Sequence, residues 1–196
     1  MHPLLVAGGF VLIGAALSQN RPRRRAACVP GPKTPLARCR AILQVVRPDE
    51  VSAWAQRAYS CPIHGTTTAT AQIADLLQHW DIAYLADRTD RWCSPMATLR
   101  RRAGDCDDIS VLAVSVLLTS GVDAWVAIGP SLDGKSAHAW VIGVDPLGGP
   151  FAMEPQNGQI YWGGDLPGYR KELALGPLGC ARWDAREDGW VAITLG

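Results

Sequence analysis

With 196 residues, 48% of them hydrophobic and 19% charged, the chain has the make-up of one globular domain with a sizeable core, and disorder is excluded. Nineteen basic against eighteen acidic side chains leave a net charge of +1, too little to draw the chain as a whole to nucleic acid or an acidic surface. The six cysteines, at 28, 39, 61, 93, 106 and 180, lack CxxC or His-Cys spacing, which argues against zinc. If one of them is a nucleophile, the five left over make an awkward disulfide framework and favour a reducing compartment.

Residues 3–17 form an uncharged apolar run that, as a helix, reaches about 22 Å, short of the roughly 30 Å hydrocarbon core. Ala16-Leu17-Ser18 has the small-x-small look of a signal cleavage site, yet Arg21, Arg23, Arg24 and Arg25 follow the run and no Lys or Arg precedes it. That asymmetry predicts an uncleaved membrane-associated segment over 1–18, with the rest of the chain on the cytoplasmic side. Export after cleavage is the alternative. Pro22, Pro30, Pro32 and Pro35 with Gly31 read as a linker over 19–37, and the remaining domain is 38–196.

The spacing predicts a helix from Leu36 to Val46, a second from Asp49 and a third over Ala71 to Trp80. His64 and His79 fall in contexts that do not suit a base. Residues 82–95 read as irregular, and Arg100, Arg101 and Arg102 as a solvated face. From Cys106, apolar residues at 109, 112, 113, 116 and 117 give a helix that buries one face and stops at Ser120-Gly121. Beyond it the period changes to that of strands, at 122–128, 137–144, 151–153, 159–162 and 190–195, with 163–189 loop-like. Helices first and antiparallel strands second predict an α+β fold.

Gly104-Asp105 occupies the cap of the Cys106 helix, so the thiol sits in the first turn, against unpaired N–H groups and the positive dipole end. Asp107 and Asp108 oppose a thiolate there, and the net sign is open. His138 begins a strand and Glu154 ends the next, beyond a turn at Asp145-Pro146. A thiol on a helix N-terminus needs an imidazole to take its proton and a carboxylate to orient that imidazole. Asp145 is the rival for the third position, but so close to His138 it belongs to the hairpin turn.

Residues 82–154 resemble the transglutaminase-like superfamily, particularly bacterial and phage proteins and transglutaminase-like cysteine peptidases. Tyr84, Asp87, Asp90, Trp92 and Pro95 match the lead-in, Gly104 to Asp108 the GDC core, His138-Ala139-Trp140 the HAW motif and Glu154-Pro155 the acidic position, where Asp is usual. The resemblance implies a papain-like core with N-terminal helices and the nucleophile helix packed on an antiparallel sheet. It implies thiol-dependent acyl transfer on amide bonds of a protein or peptide substrate through Cys106, His138 and Glu154, without an organic cofactor. Trp92 and Tyr84 are candidates for the oxyanion or substrate side, or else core residues. Asp105 and Asp107 align with the calcium ligands of adhesin-cleaving relatives; capping and surface charge is the simpler account of them. Two other classes stay open: a non-catalytic binding module of a virion or membrane assembly, and a peptidoglycan amidase.

Overall fold

A computed structural model describes residues 27–59, 69–78, 81–87 and 89–195. The apolar run at 3–17, the Arg cluster at 21–25, Cys61, His64 and His79 lie outside the described residues.

The chain enters through β1 (Cys28–Pro30), inside the stretch read as a linker, and passes to three helices, α1 (Pro35–Val45), α2 (Pro48–Tyr59) and α3 (Ala69–Gln78). Thr34 caps α1 by accepting the Ala37 N–H at 3.3 Å, with Pro35 at the first helical position, where its missing N–H costs nothing. Short β2 (Ala83–Tyr84) and β3 (Arg91–Cys93) lead into α4 (Pro95–Arg101) and β4 (Ala103–Gly104). β3 pairs antiparallel with β1, and β2 pairs parallel with β4. α4 was not legible in the sequence: it is a single Pro-started turn pair, closed by Arg102 at φ 52°.

The central element is α5 (Cys106–Thr119), whose residues 107–117 are all buried. Its rear face meets the helices; there Ser115 Oγ accepts the Arg47 N–H at 3.1 Å. Its front lies on a seven-stranded antiparallel sheet built from β5 (Asp123–Pro130), β6 (Ala137–Asp145), β7 (Gly149–Glu154), β8 (Gln159–Trp162), β9 (Leu173–Gly176), β10 (Gly179–Asp184) and β11 (Gly189–Ala192). The spatial order is β11-β10-β9-β5-β6-β7-β8. Strand period 2 sends Val126, Ile128, Ala139 and Val141 into the core beneath α5. It sends Trp125, Ala127, Trp140 and Ile142 to the other face, where Leu166 and Tyr169 cover them. The sheet is thus buried on both sides at its centre.

β9 and β10 occupy part of the stretch read as a loop. Leu173-Ala174-Leu175-Gly176 is buried at every position, so it has none of the alternation that marks a half-exposed strand.

Two disulfides, Cys28–Cys93 and Cys39–Cys180, pair four of the cysteines that the count alone left as an awkward framework. The count misled because it could not show which thiols meet. The fold lays α1 beside β9, bringing Cys39 to Cys180 across 141 residues, and lays β1 on β3 with Cys28 opposite Cys93. Cys106 is the free thiol among the described cysteines.

Candidate active site

α5 opens on the cap that its sequence predicts. Asp105 is extended, at φ −93° and ψ −167°, and its carboxylate accepts the Asp108 N–H at 3.4 Å. Gly104 is required by packing: a Cβ there would stand 2.7 Å from the Asp108 Cβ. Asp108 points away from the thiol. It accepts the Cys93 N–H at 2.7 Å and pairs with Arg101 at 2.5 Å, joining the cap to β3 and α4. Arg100, Arg101 and Arg102 are all exposed, the solvated face that the sequence suggested, and Arg102 pairs there with the exposed Asp81.

Cys106 lines a cleft of about 270 Å³ together with Pro32, Arg38, Asp87, Asp90, Trp92, Asp105, Asp107, His138 and Ala139. Burial, reinforced by the carboxylates of Asp107 and Asp105, pushes its thiol up to about 11, against the Ala139 N–H that faces the sulfur and favours thiolate. The sign left open by the sequence is settled by desolvation: the resting group is a thiol. Asp107 is 8% exposed, and its Oδ1 is buried without a hydrogen-bond partner. Burial and the adjoining Asp105 push it up to about 10, so at neutral pH Asp107 holds a proton.

His138 stands second in β6, and Glu154 ends the neighbouring β7. The strand pairing of Val141 with Met153 brings their ends together, and His138 Nε2 lies 2.6 Å from Glu154 Oε2. With Nε2 engaged by the carboxylate, Nδ1 is the ring nitrogen left for the cleft. Asp145 sits at the hairpin, 1% exposed, and accepts the N–H and hydroxyl of Thr70 and the N–H groups of Leu147 and Gly148. All its acceptor capacity is spent on structure.

The structure separates the two aromatic candidates. Trp92 is buried between β1 and the core while lining the cleft. Tyr84 is 54% exposed on β2, its phenol raised by desolvation first and then by Cys106, Asp105, Asp107 and Glu154. Arg38 and Pro32 were missed by sequence reasoning. Arg38 Nε donates to the Pro32 carbonyl at 2.9 Å, which fixes its guanidinium at the cleft wall. Nothing local marked them: Pro32 lies in the supposed linker, and Arg38 on the predicted first helix reads as one more solvated arginine. Tyr169 was missed as well: its ring lies 4.7 Å from that of His138.

Comparison with known proteins bears on this geometry. Residues 90–180 match the profile of the CEP76 peptidase-like domain. The Centrosomal protein of 76 kDa from Xenopus tropicalis is 42% identical over 55 residues, 28% of this chain but only 8% of that protein. Among solved structures, EGTA-treated LapG of Legionella pneumophila superimposes with a TM-score of 0.54 at 13% identity, covering 76% of this chain and 91% of that one. Its calcium-bound form gives 0.50 at 19%, covering 77% and 94%. A protein of Cytophaga hutchinsonii described as a cysteine protease gives 0.51 at 16%, covering 68% and 45%. The fold is the papain-like, transglutaminase-like one.

These findings correct two expectations. The sequence matches point to eukaryotic centrosomal proteins, and the bacterial likeness is one of fold, so the bacterial or phage assignment does not stand. The membrane-associated location, with its exported and virion alternatives, is overturned by the same centrosomal relatives. Among the described residues no helix is long and apolar enough to cross a membrane.

Proposed function

We propose that the chain is a thiol-dependent acyl-transfer enzyme acting on amide bonds, with Cys106 as nucleophile, His138 as base and Glu154 as the group that orients it. The observation that carries this reading is the 2.6 Å His138–Glu154 pair on the cleft that holds Cys106. With a resting thiol, attack and proton transfer are coupled. Cys106 Sγ bonds to the amide carbon as its proton passes to His138 Nδ1, and Glu154 stabilises the resulting imidazolium. The Cys106 N–H, at the start of α5, is placed to donate to the oxyanion. Collapse breaks the C–N bond, His138 returns the proton to the leaving amine, and a thioester remains. Water or a second amine, deprotonated by His138, then releases the acyl group.

A peptide substrate suits the surroundings. Asp87 lines both the cleft at Cys106 and a neighbouring hollow of about 760 Å³ walled by Leu85, Arg91 and Arg101, so the two adjoin and could together take an extended chain. Incubation with a diverse peptide mixture and a fluorescent primary amine, read by mass spectrometry, tests the proposal. Cleaved peptides identify water as acceptor, amine-tagged ones identify crosslinking chemistry, and the account expects either to vanish in Cys106→Ser. Turnover that survives Cys106→Ser contradicts it. The rival, a fold kept for binding without chemistry, draws on the raised thiol and predicts neither product.

Calcium remains a proposal for Asp105 and Asp107. Their carboxylates and that of Asp108 lie within 4.8 Å of one another, and the partnerless buried Asp107 Oδ1 is a hard oxygen donor of the type calcium takes. Asp108 is already engaged by Arg101 and the Cys93 N–H, so Asp105 and Asp107 would hold the ion. Bound there, it would supply positive charge beside Cys106.

A further inference from the structure

The outer face of the sheet carries a strap, residues 165–172, that the catalytic reading does not use. It runs antiparallel along the end of β5 and then beyond it: Glu172 N–H donates to Ile128 O at 2.9 Å, Arg170 N–H to Pro130 O at 3.0 Å, and Leu132 N–H to Gly168 O at 2.9 Å. Leu166 anchors it in the outer apolar cluster, and Lys171, paired within the strap with Asp165 at 2.8 Å, ties it to β10 by standing 3.9 Å over the Trp183 ring. Gly129, directly opposite His138 in the sheet, allows the close approach: a Cβ there would fall 1.8 Å from the Arg170 carbonyl oxygen. The result is that the Tyr169 ring tilts over the imidazole at 4.7 Å and over Trp140 at 5.9 Å. The His138 side chain that it covers and the Glu154 side chain paired with that imidazole are only 11% and 17% exposed.

We propose that Tyr169 is a positioning residue for His138. Its ring, held by the strap, fixes the imidazole plane and keeps water off the His138–Glu154 hydrogen bond, so that the proton stays on Nε2 and Nδ1 stays free for Cys106. A hydrogen bond shielded from water is stronger and more directional than one open to it. The inference rests on His138 serving Cys106. A flat ring is what the geometry uses, and the Tyr169 hydroxyl is not part of the argument.

Two readouts test it. One is the His138 tautomer, from nitrogen-15 shifts of labelled imidazole; the other is the pH profile of Cys106 acylation by p-nitrophenyl acetate. Tyr169→Ala is expected to mix the tautomers and slow acylation about tenfold or more, whereas Tyr169→Phe restores both to within about twofold. Gly129→Ala, which lifts the strap without touching Tyr169, is expected to follow Tyr169→Ala. Tyr169→Leu supplies the folded comparison if removal of the side chain unfolds the strap, and it too is expected to mix the tautomers. A single unchanged tautomer and an unchanged profile in Tyr169→Leu and Gly129→Ala would overturn the proposal. An acylation rate that His138→Ala leaves unaltered would instead overturn the catalytic reading on which it rests.

Discussion

Glu154 Oε2 meets His138 Nε2 at 2.6 Å across the ends of two adjacent antiparallel strands, with neither side chain more than 17% exposed. Glu154 ends β7, and its side chain spans the distance from that strand end to the imidazole. Glu154→Gln keeps the shape but loses the charge that stabilises the imidazolium. Turnover or single-turnover acylation is expected to fall about 10²- to 10⁴-fold. Glu154→Asp, one methylene shorter, is expected to retain more activity than Glu154→Gln, and parallel rate measurements check the order.

The raised Cys106 thiol has a stability consequence. Its folded value, about 11, exceeds the ordinary 9.0, so the folded state holds a proton that the unfolded state releases between those pH values. The stabilisation is complete below pH 9 and is lost as pH rises through about 11. Wild type is expected to lose on the order of 2 kcal/mol more than Cys106→Ser between pH 8 and pH 11, at 1.36 kcal/mol per unit. Urea unfolding at the two pH values measures the difference.

Asp107 acts in the same direction over a wider window. Burial and Asp105 raise it from 3.8 to about 10, so the folded state stays protonated where the unfolded state ionises. Its contribution is largest below pH 4 and falls steadily as pH rises towards 10. Asp107→Asn removes that loss and, in chelator-treated protein, is expected to raise Tm at pH 7.5 by several degrees while changing it little at pH 4. If the Asp105–Asp107 pair holds calcium, millimolar calcium raises the wild-type Tm and leaves that of Asp107→Asn where it was.

Cys39–Cys180 closes a loop spanning a sequence separation of 141, tying α1 to β10 on the far side of the sheet from β8. Replacing both cysteines with alanine is expected to cost about 2–5 kcal/mol of stability through the larger freedom of the unfolded chain. Denaturant unfolding of the double variant under non-reducing conditions checks it.

What the sequence disclosed was whatever leaves a period or a motif. The α5 helix shows its apolar spacing from Ile109 onward, and the strands at β5 to β8 show theirs, so the α+β order was legible. Cys106, His138 and Glu154 stood out because each sits at the end of an element. Residues whose meaning comes only from topology stayed hidden. Leu173 to Gly176 is buried on both faces and so lacks alternation. Cys28 and Pro32 lay in a Pro-rich stretch that reads as linker until β1 pairs with β3, and Arg38 on the next helix had no motif to mark it. Tyr169 is 31 residues beyond His138 in an irregular segment, and only the strap on β5 carries it to the imidazole. The thiol's ionisation was hidden for another reason: helix dipole and carboxylates oppose each other locally, and burial, a tertiary property, decides.

The central claim is that His138 draws the proton from Cys106 as the sulfur attacks an acyl carbon. The most direct measurement is acylation of Cys106 by p-nitrophenyl acetate at pH 7.5, following the p-nitrophenolate burst and the mass of the Cys106 peptide in wild type, His138→Ala and Cys106→Ser. The account predicts a burst stoichiometric with protein and an acetylated Cys106 in wild type, a rate about 10²-fold lower or less in His138→Ala, and none at that peptide in Cys106→Ser. Cys106 left unacetylated in wild type, or acetylated equally fast without His138, would contradict it.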